Sequence, residues 1–272
     1  MKVALIQMTS GSDVAANLAY LEGQVRAAVS SGAVFILTPE NSDFMTETAD
    51  QKRDQAFDEA HHPALSLFSS LAKELGVWLL LGSIAIKRSD GRLNNRSYLF
   101  APSGEIAAAY DKIHLFDVDL PTGEVRRESA LIEGGDKVVI ASTDFGKVGM
   151  SICYDVRFPY LYRQMAQAGA TMLLCPAAFT VPTGQLHWEV LLRARAIENG
   201  AFVLAPAQCG THDGGRKTYG HSLVIDPWGK IIAEGGDSSA IIYADIDLDE
   251  TARFRSSIPS LSHDRAQKLC AV

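Results

Sequence analysis

Tyr98-Leu-Phe-Ala-Pro-Ser-Gly-Glu-Ile106 has a counterpart in the second half of the same chain, Leu223-Val-Ile-Asp-Pro-Trp-Gly-Lys-Ile231. Each stretch reads as a strand, a Pro-x-Gly turn and a second strand. Proline suits the first central position of a tight turn, and glycine tolerates the positive φ that closes it. Such hairpins occur in unrelated folds, so one turn decides little. The same unit in both halves argues for two sheets related by an internal pseudo-symmetry.

The surrounding sequence supplies the covering layers. Residues 1–8 (MKVALIQM) read as a first strand. Asp13 can cap a helix whose apolar stripe is Val14, Leu18, Leu21, Val25 and Val29, with Gly32 ending it. Residues 34–37 form a buried strand. A helix follows Pro63, with Leu65, Phe68, Leu71 and Leu75 on one face, and residues 77–81 form another apolar strand. Residues 240–247 read as a late strand. Continuous apolar strands alternating with helices predict an α/β protein whose sheets are covered by helices.

The chain has 272 residues, 47% hydrophobic and 21% charged, enough for a large buried core. No low-complexity linker divides it, so residues 1–272 are expected to form a single domain. The tail, about 259–272, has few apolar residues and is expected to pack on the domain or on a partner subunit. A net charge of −7 excludes a general attraction for nucleic acid or anionic membrane. No apolar run is long enough to span a bilayer, and residues 1–8 lack the length and flanks of a signal peptide. Cys153, Cys175, Cys209 and Cys270 form no C-x-x-C pair. They read as reduced thiols of a cytoplasmic protein, with no zinc site and no cofactor.

Three positions can carry chemistry. Val148-Gly-Met-Ser-Ile-Cys-Tyr-Asp155 is an apolar strand that ends at Cys153 and meets polar residues. Side chains at the carboxyl end of a strand in an α/β protein face the usual ligand crevice, and a cysteine nucleophile needs a base or cation nearby. Glu40 stands just beyond its own strand, in Leu37-Thr-Pro-Glu-Asn41, and Lys112 follows the first hairpin in Ala109-Tyr-Asp-Lys-Ile-His-Leu-Phe-Asp-Val-Asp119. Taken singly, a buried structural cysteine, a solvated loop carboxylate and a surface lysine fit equally well.

Together the three segments resemble the nitrilase superfamily of carbon–nitrogen hydrolases, over Lys2 to about Pro259. Thr-Pro-Glu with Glu40, Tyr-Asp-Lys-Ile-His-Leu with Lys112, and Ser-Ile-Cys-Tyr-Asp-Val-Arg-Phe with Cys153 occur in the order typical of that superfamily. The resemblance implies a four-layer α-β-β-α sandwich, pairing into a homodimer or higher homo-oligomer, and a Glu-Lys-Cys site acting on a small-molecule amide. Cys153 would attack the carbonyl carbon. Glu40 would carry protons, while Lys112 and the backbone N–H of Tyr154 would hold the oxyanion. A further glutamate of the family matches Glu128, which would position Lys112 or the substrate amide.

Lys112-Ile-His-Leu-Phe-Asp-Val-Asp119, Cys153-Tyr-Asp-Val-Arg-Phe158 and Thr183-Gly-Gln-Leu-His-Trp-Glu189 resemble the branch that contains deaminated glutathione amidases and omega-amidases. The run from Trp188 to Glu198, with Ala207-Gln-Cys-Gly210, is more similar to the former. The implied substrate is an α-keto acid analogue of glutathione, cleaved to α-ketoglutarate and cysteinylglycine. The alternatives are α-ketoglutaramate or another aliphatic or N-carbamoyl amide. A carboxylate substrate needs a cation, for which Arg157 is the candidate unless Asp155 or Glu189 pairs with it. Phe179, Thr180 and Thr183 are candidates for the opposite wall. The His187-Trp188 pair reads as packing in an early helix turn.

Three rival readings stay in view. His114, Asp117 and Asp119, with His61-His62, offer metal-type ligands or solvated loop residues. Gly210-Thr-His-Asp-Gly-Gly-Arg-Lys-Thr218 approaches a phosphate-binding loop, but Arg216 interrupts the Gly-Lys-Thr run, and a flexible basic loop is expected there. A catalytically silent binding module on the same fold is the third, opposed by the intact Glu40, Lys112 and Cys153.

Overall fold

Two six-stranded sheets carry the architecture. They are seen in a computed structural model that describes residues 1–46, 48–120, 123, 125–266 and 268–270. The first sheet runs in the order Ala240–Asp245, Lys2–Gln7, Phe35–Leu37, Trp78–Lys87, Leu93–Phe100, Ile106–Asp111. The second runs Val139–Thr143, Gly146–Met150, Met172–Leu174, Phe202–Ala205, Leu223–Ile225, Ile231–Glu234. Read in these directions the two are equivalent: an antiparallel edge, three parallel strands, then an antiparallel pair.

The equivalence holds at the level of single hydrogen bonds. Val34 N–H donates to Lys2 O (3.0 Å) as Thr171 N–H does to Lys147 O (2.9 Å). Thr38 N–H donates to Leu80 O (3.0 Å) as Cys175 N–H does to Leu204 O (2.9 Å). The repeated Pro-x-Gly turns also match. Gly104 and Gly229 have φ of 85° and 80°, and their N–H groups close on Ala101 O and Asp226 O at 2.8 and 2.9 Å. Each turn leans on a helix that bonds the glycine carbonyl, through Ser69 Oγ (2.6 Å) and Arg193 Nε (2.9 Å).

Alternation along the strands produces the layers. In the first sheet Val3, Leu5, Phe35, Leu37, Trp78 and Leu80 face the second sheet and share its core. Their neighbours Ala4, Ile6, Ile36, Leu79 and Leu81 pack instead on helices Val14–Ser30 and Pro63–Leu75, through Leu18, Leu21, Val25, Phe68 and Leu71. Asp13 caps the first of these, accepting from Ala16 N–H (3.1 Å). Helices Pro159–Gln167 and Glu189–Asn199 cover the second sheet with Tyr162, Met165, Leu192 and Ala196. The order is therefore helix, sheet, sheet, helix, the expected four-layer sandwich. Gly149 is required here, since a Cβ would stand 2.6 Å from Met165 Sδ.

Residues 260–264 lie along helix Pro159–Gln167. Arg163 donates to Ser260 O (2.7 Å) and pairs with Asp264. The late strand stops at Asp245, two residues short of the expected end. Among the described residues no helix is long and apolar enough to cross a membrane.

Candidate active site

Glu40, Lys112 and Cys153 meet at one end of the sandwich, delivered by both sheets. Glu40 follows strand Phe35–Leu37 in a loop pressed against Gly82, where a Cβ would stand 1.9 Å from Thr38 O. Ser42 Oγ braces that loop by donating to Pro39 O (2.7 Å), and Ser83 Oγ accepts from Asn41 N–H (3.1 Å). Lys112 directly follows strand Ile106–Asp111, and its N–H donates to Asn95 O (3.0 Å). Cys153 opens a short 3-10 helix, Cys153–Arg157, beyond strand Gly146–Met150. Its φ is 50°, in the left-handed region that a non-glycine residue rarely occupies, and its N–H donates to Pro176 O (2.9 Å). Such a conformation costs about 1–3 kcal/mol and persists only where the surroundings enforce it.

One carboxylate fixes two of these segments together. Asp155 is fully buried and accepts from Ile152 N–H (2.9 Å), Tyr110 OH (2.7 Å) and His114 N–H (3.0 Å), with His114 Nδ1 also at 2.7 Å. Tyr110 and His114 flank Lys112. The lysine and the nucleophile are thus positioned by a shared anchor.

The Lys112 ammonium lies between two carboxylates, 2.8 Å from Glu40 Oε1 and 2.9 Å from Glu128 Oε2. Asn95 Nδ2 donates to both, at 2.9 and 3.3 Å. Ala178 N–H holds Glu40 Oε2 (2.8 Å), and Phe116 N–H holds Glu128 Oε2 (2.7 Å). Burial opposes charge on Lys112, but Glu128 and Glu40 outweigh it and keep the ammonium firmly protonated. Burial likewise opposes charge on Glu40. The charge and hydrogen bond of Lys112, with donors from Cys153 and Asn95, hold it well below the usual carboxylate range. Burial first and Glu40 second push the Cys153 thiol far up, against the pull of Lys112. At rest the proton therefore sits on sulfur and the carboxylate is ionised, poised to accept it.

A cavity of about 270 Å³ opens over these groups. Glu40, Lys112, Glu128 and Cys153 line it, as do Phe179, Thr180 and Thr183 from the expected opposite wall. Thr180 and Thr183 hydroxyls bond each other at 2.8 Å. Trp188 is buried behind Phe179, with ring centroids 4.9 Å apart. Tyr154 lies in the first turn of its helix, where backbone N–H groups lack intrahelical acceptors. Arg157 does not line the cavity directly. Its guanidinium lies over the rings of Tyr154 and Phe179, 5.6 and 5.4 Å from their centroids, with His187 Nδ1 at 3.2 Å. Neither Asp155 nor Glu189 pairs with it: Glu189 pairs with Arg193.

The 210–218 stretch departs from expectation. It forms an antiparallel hairpin, Cys209–Thr211 with Lys217–Tyr219, rather than a flexible loop, and Thr218 is bridged to Thr180. The hairpin brings Arg216 into the cavity, which Lys52 and Arg126 also line. Sequence reasoning passed over Arg216, Lys52 and Asn95. The available signal was polarity at positions facing a buried strand end, as in Leu93-Asn-Asn-Arg96. The metal-type residues go separate ways: His114 to Asp155, Asp117 to Ser129, and Asp119 to Arg127.

The sequence profile of the family described as carbon–nitrogen hydrolase matches residues 2–256. The chain belongs to the carbon–nitrogen hydrolase family. A curated relative named deaminated glutathione amidase, from Synechocystis, is 42% identical over 96% of both chains. One of the same name from Yersinia enterocolitica is 39% identical over 97% of this chain and 92% of its own. Among solved structures, Saccharomyces cerevisiae Nit3, described as a member of branch 10 of the nitrilase superfamily, superposes with a TM-score of 0.85. It is 31% identical and covers 95% of this chain and 94% of its own. An amidase from Nesterenkonia, captured with acrylamide added to its active-site cysteine, gives a TM-score of 0.78 at 27% identity, covering 95% of this chain and 98% of its own. Membership makes this chain an enzyme that hydrolyses carbon–nitrogen bonds, on the fold that the family's hydrolases share.

Proposed function

We propose that the chain is an amidase that cleaves deaminated glutathione to α-ketoglutarate and cysteinylglycine. The observation that carries the chemistry is the meeting of Cys153, Glu40 and Lys112 on one cavity wall, with the Lys112 ammonium 2.8 Å from the Glu40 carboxylate. The substrate follows from relatives of that name aligned along nearly the whole chain.

As Cys153 Sγ attacks the amide carbon, its proton passes to Glu40. The oxyanion is met by Lys112 and the Tyr154 N–H. The three N–H groups of the Lys112 ammonium face Glu40 Oε1 and both oxygens of Glu128, and the longer of the two bonds to Glu128 can be given up to the oxyanion. Glu40 then gives the proton to the departing amine, and cysteinylglycine leaves. A thioester remains on Cys153. Glu40 takes a proton from the incoming water, which attacks that thioester; the carbon–sulfur bond breaks, α-ketoglutarate leaves, and Glu40 returns the proton to Cys153 Sγ. Glu128 keeps Lys112 charged throughout. Arg157, which no carboxylate among the described residues pairs with and which lies behind the cavity-lining Phe179, is the cation we assign to the keto-acid carboxylate.

The assembly we propose is a homodimer. Exposed Leu186, Val190 and Ile197 lie on one face at helical spacing, with exposed Trp228 beside them, and support it. Cytoplasmic placement is part of the same reading and rests on four unpaired cysteines. The deciding experiment measures α-ketoglutarate release from deaminated glutathione, α-ketoglutaramate and glutamine side by side. The first should give the highest kcat/KM; a preference for α-ketoglutaramate would make the enzyme an omega-amidase.

A further inference from the structure

Arg216 enters the cavity without a direct ion pair to any carboxylate among the described residues. Among the described residues its Nε is buried without a hydrogen-bond partner, and Nη2 reaches the carbonyl of Ala178, at 3.3 Å. Lys52 lines the same cavity from helix Ala49–Gln55, its ammonium bonded to the neutral Oδ1 of Asn41 at 2.9 Å. Burial depresses the pKa of both groups and the nearby charge of Arg126 depresses Arg216 further, while the charges of Glu40 and Glu128 offset only part of this. Two half-buried cations without a direct ion pair carry a desolvation cost, and an anionic ligand group placed between them offsets it.

Their location says which part of a ligand they meet. Ala178, which holds Arg216 through its carbonyl, gives its N–H to Glu40 Oε2. Asn41, which holds Lys52, follows Glu40 in the chain. Both cations therefore stand beside the carboxylate that returns a proton to the departing amine. Arg157 stands elsewhere, over Tyr154 and Phe179.

We infer that Arg216 and Lys52 form an anion subsite for a carboxylate carried by the leaving group. The inference rests on the amidase reading above and deepens it. Deaminated glutathione has one carboxylate on the acyl side and another at the glycine end of the leaving dipeptide. α-Ketoglutaramate releases ammonia and has nothing to place in this subsite. Arg216 and Lys52 are thus selectivity residues for the amine half of the substrate, as Arg157 is for the acyl half.

Two measurements test this. Ligand-observed NMR titration compares cysteinylglycine with its C-terminal amide on the wild-type protein and on Arg216→Gln. The free acid should bind wild type about tenfold or more tighter, the scale of a charge-assisted hydrogen bond, and Arg216→Gln should erase the difference. Lys52→Met should narrow it and serves as the second variant should Arg216→Gln not fold. In turnover, Arg216→Gln should raise KM for deaminated glutathione and leave that for its C-terminal amide unchanged. Equal binding of acid and amide by wild type, or a preference that survives both substitutions, would overturn the subsite. The amidase reading fails separately, if wild type releases no α-ketoglutarate from deaminated glutathione. The NMR comparison needs no turnover and still decides the subsite in that case.

Discussion

The Tyr110 hydroxyl donates a 2.7 Å hydrogen bond to the buried carboxylate of Asp155, and this bond joins the segment carrying Lys112 to the turn carrying Cys153. Asp155→Asn keeps the size but replaces one acceptor oxygen with a donor. Tyr110, His114 and the Ile152 N–H can then no longer all be satisfied. Misplacement of a catalytic group by even 1 Å costs on the order of 10²-fold. We expect kcat to fall by that order with KM changing less and the circular dichroism spectrum retained. An unchanged kcat in a folded variant would show that the anchor does not set the geometry.

Cys153→Ala should abolish turnover. Cys175→Ala, Cys209→Ala and Cys270→Ala should keep it, since none of those thiols lines the cavity. Mass spectrometry of enzyme quenched during turnover should find an acyl adduct on the peptide containing Cys153 alone. Appreciable turnover by Cys153→Ala would remove the nucleophile assignment.

Lys112→Met should lower kcat by about 10²–10³-fold, the scale of losing one oxyanion donor. It also leaves Glu40 and Glu128 facing each other without a cation, so one of them should take up a proton at neutral pH. Two signals should therefore appear together, lost kcat and a net charge at neutral pH that stays equal to that of wild type by potentiometric titration, where loss of the ammonium alone would make it one unit more negative. Near-normal kcat in the folded variant would refute the role.

The pH dependence has a definite sign. Burial alone would raise Glu40 from its ordinary 4.5, but Lys112 and the surrounding donors lower it. A group depressed on folding contributes stability that is complete above its unfolded pKa and is lost as pH falls through the lower folded value. The acid limb of kcat/KM should follow the same group, centred below 4.5. A limb centred at or above that ordinary value would mean that Glu40 is not the proton acceptor in the free enzyme.

The sandwich and the three chemical residues were legible because their signals are local. A strand followed within three residues by Glu40 or Cys153, and a hairpin followed by Lys112, can be read in short windows. The network that aligns them is not local. Asp155 reaches Tyr110 and His114 across more than 40 positions, as the 45- and 41-residue separations show. Arg216 was hidden for a related reason. A Gly-Gly-Arg-Lys run reads as a mobile basic turn, and only pairing of Cys209 with Tyr219 and bridging of Thr218 to Thr180 turn the arginine inward. Asn95 sits in a strand whose polar residues read as solvent-facing until the cavity is in place.

The matched hydrogen bonds of the two sheets also allow the halves to be laid over each other residue by residue. The row Leu5, Leu37, Leu80 then coincides with Met150, Leu174, Leu204. Counting three residues onward, Met8 stands where the other half has Cys153, and Ala177 stands where it has Glu40. The doubling is thus a feature of the scaffold alone. A chain made of the first half twice would present two carboxylates and no thiol, and one made of the second half twice would present two thiols and no carboxylate at the equivalent position to receive their protons. A symmetric frame can be built from two like halves, but a nucleophile and its proton acceptor require the halves to differ.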